Sequence, residues 1–267
     1  MIFPDSFHFS VITLSSPGAI AFHIGPINVR WYGIFIGLGF LASYFIAEKL
    51  AKKNNLNLEH FNDLVFLILI FSIVFARLWF VMLNIDYFKD HISEIPKIWY
   101  GGQSVHGGIL GGVLAAFLYT KIKKASFYKY IDLAAVVLPL AQSIGRWGNF
   151  FNNEAFGLPI KHGFIKIFIP SEFRPPFYLQ HEYFHPAFLY ESFLDFIVFV
   201  FLFKKYSLWN DKLGKIFWVY LLCYSIIRFF IEFIRLDSLY LFNLVPSAQV
   251  VSVVLIILSI FVLRKYK

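Results

Sequence analysis

Residues 62–83 read Asn-Asp-Leu-Val-Phe-Leu-Ile-Leu-Ile-Phe-Ser-Ile-Val-Phe-Ala-Arg-Leu-Trp-Phe-Val-Met-Leu. From Leu64 onward the run holds one charge, Arg77, in twenty residues. A helix rises about 1.5 Å per residue, so such a run covers about 30 Å, the thickness of a bilayer's hydrocarbon core. Backbone polar groups inside lipid must be satisfied internally, which a helix does by itself. Six further stretches share this character: Trp31–Leu50, Ser104–Thr120, Ile131–Gly148, Ala187–Phe203, Ile216–Arg235 and Ala248–Leu263. The expected fold is an all-α integral membrane protein with seven transmembrane helices, forming one polytopic domain over residues 1–267.

Composition supports this. Hydrophobic residues are 59% of the chain and charged ones 15%, against about 45–50% and 25% in soluble domains. A chain of 267 residues with 35 Phe, 15 Tyr and 6 Trp has more apolar surface than a soluble fold of its size can hide. Disorder is excluded for the same reason. One cysteine, Cys223, allows no internal disulfide and no Cys-rich metal cluster, and its apolar setting fits a packed core residue.

The net charge of +8 suggests nucleic acid until its distribution is read. One set of loops carries 14 basic residues: Lys49, Lys52, Lys53, Lys121, Lys123, Lys124, Lys129, Lys204, Lys205, Lys212, Lys215, Arg264, Lys265 and Lys267. The opposite set carries six: Arg30, Lys89, Lys97, Lys161, Lys166 and Arg174. The positive-inside rule makes the first side cytoplasmic, with the N-terminus outside and the C-terminus inside. The surplus is thus a membrane feature, and no nucleic-acid partner is expected. Residues 1–30 lack the positive opening of a secretory signal, since Asp5 precedes the first basic residue, Arg30. The long external connection 149–186 holds Pro159, Pro170, Pro175, Pro176 and Pro186 among aromatics and is expected to form an ordered cap. There is no P-loop and no GxGxxG, so a nucleotide cofactor is not expected.

Arg77, Arg146, Arg228, Arg235 and Glu232 fall within or at the ends of spans. A central membrane charge costs about 2.5–3.5 kcal/mol, and the set together up to about 10–15 kcal/mol, as much as a whole domain's stability. Such charges mark a site more often than a scaffold. Tyr224, Arg228, Glu232 and Arg235 are spaced 4, 4 and 3 apart and, at 3.6 residues per turn, form one polar stripe on the sixth span. Arg228 and Glu232 can pair along it. Two arginines on one face suit a phosphate or another anion.

The fourth span ends Gly145-Arg-Trp-Gly-Asn-Phe-Phe-Asn-Asn-Glu-Ala-Phe-Gly157. It concentrates Arg146, Asn149, Asn152, Asn153 and Glu154, with Gly145, Gly148 and Gly157 read as places for tight turns. This is an anion site or a polar helix end meeting headgroups. Ser104-Val-His-Gly-Gly-Ile-Leu-Gly-Gly112 contains two overlapping GxxxG patterns, which permit close helix packing. His106 beside them is either structural or a base or hydrogen-bond donor. His181-Glu-Tyr-Phe-His185 fits the HExxH zinc pattern. That chemistry needs both histidines on one helix face, and Pro186 disfavours a helix at His185, so no metal is assigned. Glu191, shortly after, would point a carboxylate into the bundle.

Residues 145–157 resemble the signature of the bacterial prolipoprotein diacylglyceryl transferases: Gly-Arg, then Gly-Asn-Phe, then Asn-x-Glu-x-x-Gly. Further blocks agree in order: Arg30-Trp-Tyr-Gly33, Gly101–Gly108, His185-Pro through Tyr190-Glu191, Tyr224 through Arg235, and Ser247-Ala-Gln249. Gln103 departs from the Met frequent there. The resemblance implies transfer of the sn-1,2-diacylglyceryl group of phosphatidylglycerol to the lipobox cysteine of a preprolipoprotein signal peptide. A thioether forms and glycerol phosphate leaves, at the external face of a bacterial plasma (inner) membrane. Membrane lipids surround the enzyme, and no cofactor is implied. It further implies that Arg146 and Arg228 bind the phosphate. Asn149, Glu154, Gly157, Tyr32, Glu232 and Arg235 would support the phosphatidylglycerol site. His106 would be the proposed general base, although the arginines could also lower the thiol pKa by charge alone. The rival reading is a secondary transporter with a midplane anion site, which predicts inverted repeats. None is visible, and the polar residues gather toward the external half.

Overall fold

A computed structural model describes residues 11–25, 27–161, 163–209, 211–241 and 244–266. The opening ten residues, on which the signal-sequence reading partly rests, and Lys267 of the basic count lie outside the described residues. The described residues open with three short strands, β1 (Ile12–Ser15), β2 (Ile20–Ile24) and β3 (Ile27–Arg30). Helices α1 (Trp31–Lys53), α2 (Leu58–Leu83), the one-turn α3 (Ile85–Phe88), α4 (Val105–Ile122) and α5 (Phe127–Phe151) follow. Then come β4 (Ile165–Phe168), β5 (Tyr183–Phe184), α6 (Ala187–Trp209), α7 (Lys215–Ile231), β6 (Tyr240–Leu241), β7 (Val245–Pro246) and α8 (Ser247–Leu263). Each apolar stretch read from the sequence lies mostly within one long helix.

The protein is mostly helical. Among the described residues, four helices are long and apolar enough to cross a membrane: α1, α2, α4, and α8 with its final turn. Internal charges in α5 and α6, and the 17 residues of α7, set those three apart. In α8 the usual pattern is inverted. Ser252 and Ser259 are buried, while Val251, Val254, Ile257 and Phe261 face outward. Small polar residues inside and apolar ones outside are what a helix in lipid presents.

The chain divides into two compact units, residues 47–134 and residues 1–46 with 135–267, the division falling within α1 and α5. In the first unit α4 lies directly on α2. A Cβ at Gly107 would come within 2.3 Å of the Phe75 carbonyl oxygen, and one at Gly111 within 2.4 Å of that of Phe71. The glycine spacing therefore sets the helix–helix distance. At the start of α2 the Asn57 side chain accepts from the His60 N–H at 3.0 Å, a conventional N-cap.

In the second unit β4 is the centre of a three-stranded sheet. β1 runs parallel to it, Ile12 opposite Ile165, and β5 antiparallel, Ile167 opposite Phe184. The sheet encloses an apolar core of Phe150, Phe156, Ile167, Ile169, Phe184 and Phe188. Ile167, Ile169, Phe184 and Phe188 have no exposed surface. Residues 149–186 are thus ordered by their own core, which also joins the end of α5 to the start of α6.

Two sequence readings are corrected here. Gly145 and Gly148 lie inside α5, which continues to Phe151, and make no turn. The turn after α5 is made by Asn153 and Ala155, with φ of 54° and 55°. The sixth span does not stay helical to Arg235. The α7 helix ends at Ile231, Glu232 is its C-cap, and Arg235 lies beyond in a turn and a bridge to Gly157. Glu232 keeps helical backbone and its N–H still bonds the Arg228 carbonyl, but Arg235 no longer follows the 3.6-residue period from which the stripe was read.

Candidate active site

Within the unit of residues 1–46 and 135–267, α5, α6, α7 and the turn after α7 each supply a charged side chain to one cluster. Glu191, in the second turn of α6, is at its centre. Its side chain is 2% exposed. Oε2 pairs with Arg146 Nη2 from α5. Oε1 accepts from Arg228 Nη1 of α7 at 3.2 Å and from Arg235 Nη1 at 3.0 Å. Three guanidiniums therefore share one buried carboxylate.

The three are not equivalent. Arg228 has a second partner, Glu232, four residues on and almost fully buried. Arg235 is the most committed, with all three nitrogens engaged: Nε and Nη2 grip the two oxygens of Asp237 while Nη1 holds Glu191. A guanidinium has five N–H donors. Arg146 and Arg228 keep unspent donors and are also the more exposed, at 21% and 18% of their side chains against 11% for Arg235. The carboxylates lie beneath them, at 1–2% exposure. The arrangement is a buried acidic floor with two basic groups above it, still able to donate. Tyr224 on α7 and Asp195, one turn past Glu191, lie within electrostatic reach of Arg146.

The rim comes from the end of α5 and its turn. Asn149 Nδ2 donates to Glu154 Oε1 at 2.8 Å, and Asn152 Nδ2 to the same oxygen at 3.2 Å. Tyr32, on the first turn of α1, packs on Gly148. A Cβ at residue 148 would come within 2.7 Å of its ring. Tyr32 is also in electrostatic reach of Arg146 and Glu154. Gly157 is where two chain segments close. Its N–H donates to the His185 carbonyl at 2.8 Å, and the Leu158 N–H to that of Ile234 at 2.7 Å. A Cβ at residue 157 would come within 2.9 Å of the Ile234 oxygen. A missing side chain on the α5–β4 connection thereby permits the turn that carries Arg235. Next to it, burial lowers the pKa of the His185 imidazole, whose Nδ1 is 3.2 Å from the Tyr190 hydroxyl.

Arg146, Arg228, Glu232 and Arg235 are thus brought together, with Tyr32, Asn149, Glu154 and Gly157 around them in the same unit. His106 belongs to the unit of residues 47–134, where it stands exposed on the first turn of α4. Arg77 makes no ion pair among the described residues and binds backbone carbonyls instead. The HExxH stretch is extended through β5, so its histidines share no helical face. Sequence reasoning noticed Glu191 only as an inward carboxylate and left it out of the site, and it passed over Asp195. The available signal was charge balance: Arg146 has no acid one turn away in its own span, while the fifth span carries Glu191 and Asp195.

These helices and this cluster define a membrane protein with a charged site set into apolar segments. Residues 19–264 match the family described as Prolipoprotein diacylglyceryl transferase. The chain is 44% identical over 250 residues to the phosphatidylglycerol–prolipoprotein diacylglyceryl transferase of Staphylococcus epidermidis, covering 93% of this chain and 89% of that one. It is 44% identical over 240 residues to the enzyme of that name from Thermotoga maritima, 89% and 81% of the two chains. With the one from Staphylococcus aureus the identity is 42% over 242 residues, 90% and 86%. The chain belongs to the prolipoprotein diacylglyceryl transferases, a bacterial family of membrane transferases.

Proposed function

We propose that this enzyme moves the sn-1,2-diacylglyceryl group of phosphatidylglycerol onto the lipobox cysteine thiol of a preprolipoprotein signal peptide, the first step of lipoprotein maturation. The thiol sulfur attacks the glyceryl carbon that bears the phosphate. A C–S bond forms, the C–O bond breaks, and its electron pair leaves with the phosphate as glycerol phosphate. The observation that carries this reading is the pair Arg146 and Arg228, part-exposed and with unspent donors above buried Glu191 and Glu232. Phosphodiester oxygens take two parallel N–H bonds from such forks. Charge gathers on those oxygens as the C–O bond breaks, so fixed donors in a low-dielectric site stabilise the transition state more than the ground state. Arg235, Tyr32, Asn149, Glu154 and Gly157 hold and shape the site. To His106 we assign the thiol proton, on the family motif and its exposed place at the head of α4. The donor is already an activated diester, so the chemistry asks for no nucleotide and no metal.

The same proposal includes seven spans in one polytopic domain of residues 1–267, with the N-terminus outside and the C-terminus cytoplasmic. Residues 149–186 then cap the external face of a bacterial inner membrane, among its lipids, where exported substrates arrive. The 14-to-6 asymmetry of basic residues supports this orientation. The test is incubation of membranes holding the enzyme with labelled phosphatidylglycerol and a lipobox peptide. Label should reach the peptide, and not a peptide whose lipobox Cys is Ser. Reporters fused after Lys53, Lys124 or Lys205 should read cytoplasm, and near Asp90 or Lys161 outside. The inverse pattern refutes the external site.

A further inference from the structure

Arg77 lies in α2, in the apolar run that decides the fold, and the proposed chemistry does not use it. Its residue is only 6% exposed. It donates four hydrogen bonds, all to backbone carbonyls of the α3–α4 connection: Nε to Ile95 at 2.8 Å, Nη2 to Glu94 at 2.7 Å, and Nη1 to Gly101 at 2.7 Å and Gly102 at 2.9 Å. The rings of Phe80 and Phe88 flank it, their centroids 5.8 and 5.2 Å from the guanidinium carbon. Gly101 and Gly102 have φ of 84° and 75°, values open mainly to glycine, and both turn their carbonyls to the same Nη1. A Cβ on Gly102 would sit 2.4 Å from the Phe80 ring. Two residues on, the Ser104 N–H donates to the carbonyl of Ala76, Arg77's neighbour, at 3.0 Å. Then α4 begins, and Gly107 seats it on Phe75. His106 is held between the Ser104 tie and the Gly107 contact.

We propose that Arg77 is a positioning residue for His106. Four donors of one guanidinium tie residues 94–102 to α2 and so set where the head of α4 presents the imidazole. This rests on the role given to His106 above. A lysine has three donors on a single nitrogen and cannot span these four carbonyls. A displacement of about 1 Å in a catalytic group costs about 100-fold in rate.

The test uses the full-length enzyme in membranes. Arg77→Met should lower kcat for lipobox-peptide transfer about 100-fold with little change in KM, and Arg77→Lys should lie between it and wild type. The loss should shrink as pH rises from about 6.5 toward 8.5, near the thiol's own pKa, where the substrate ionises unaided. In a His106→Gln background, Arg77→Met should cost almost nothing more. A pH-independent loss, or an equal loss in both backgrounds, overturns the proposal. If His106→Gln alone transfers at the wild-type rate, the base assignment fails first, and that is seen without any Arg77 variant. A readout free of catalysis covers an inactive or poorly inserted variant. The thiol of Ser104→Cys, in a Cys223→Ser background, should react several-fold faster with a water-soluble maleimide when Arg77→Lys is added. An unchanged reaction rate means that Arg77 does not hold this segment, and the proposal falls.

Discussion

Glu191→Gln is the sharpest perturbation of the cluster, since it removes one charge and almost no volume. The consequences for the three arginines differ. Arg228 keeps Glu232 and Arg235 keeps Asp237. Arg146 loses the one carboxylate paired with it among the described residues. At an effective dielectric near 20 an ion pair at this range is worth about 4 kcal/mol, and leaving a buried charge without its partner costs about 3–5 kcal/mol. A whole domain holds about 5–15 kcal/mol, so the variant should still insert and fold, with a lowered unfolding midpoint. If the cost falls mainly on the orientation of Arg146, transfer should drop about 100- to 1000-fold, at about 1.4 kcal/mol per tenfold. Glu191→Asp, one methylene short but charged, should lie between. Adding Arg146→Gln to Glu191→Gln should recover stability and not activity, because removing both partners of a buried pair costs less than removing one. The measurements are label transfer from phosphatidylglycerol to a lipobox peptide and thermal unfolding in detergent. Wild-type turnover together with an unchanged midpoint in Glu191→Gln would show that Glu191 does not organise the arginines.

Arg146→Lys and Arg228→Lys should each lose about 100-fold or more in transfer while still inserting, because a point charge lacks the two-pronged fork; near-normal turnover in either argues against a two-arginine phosphate clamp. Gly157→Ala places a Cβ 2.9 Å from the Ile234 carbonyl oxygen, and overpacking of this kind costs about 1–3 kcal/mol; it should shift Arg235 and reduce turnover, and intact activity would mean that the turn gives way freely. Burial lowers the His185 pKa, so the unfolded chain binds that proton more readily. Stability from this group is therefore complete above about pH 6.5 and falls as pH drops through the lower folded value. The midpoint of wild type should decline as pH falls below about 6.5, and that of His185→Gln should decline less; equal slopes would remove His185 as the cause.

The seven long helices among the described residues were legible because each is written in consecutive residues. For the four that are apolar over a bilayer's length, such a run has few other folded forms. The sheet of residues 149–186 was not. β1 and β4 pair across about 150 residues of chain, Ile12 opposite Ile165, and strands of four residues carry no period long enough to read. The prolines and aromatics announced order there without giving its form. Gly107 and Gly111 were read correctly as packing glycines because their four-residue spacing is itself a helix face. Gly145 and Gly148 were misread as turn formers. Glycine signals either a turn or a close approach, and only the Tyr32 ring resting on Gly148 tells which.

The site divides along the same line. Arg228 and Glu232 lie one turn apart at the end of α7, and their pairing was plain from spacing. Arg235 was assigned to the right cluster for the wrong reason. The periodicity that pointed to it ends at Ile231, and the residue returns through a turn held to the Gly157 segment by the Leu158 N–H to Ile234 hydrogen bond and the Gly157–Arg235 bridge. Its position thus depends on the absence of a side chain 78 residues earlier in the chain, which no reading of the sixth span contains. Glu191 marks the same limit. A span shows that a carboxylate is buried, but not which cations from other spans converge on it. Charge balance narrows the choice. Arg228 had Glu232 in its own span, whereas Arg146 had no acid one turn away in α5, so its counter-charge had to come from another helix. Of the inward carboxylates described, Glu191 is the one that Arg146 pairs with.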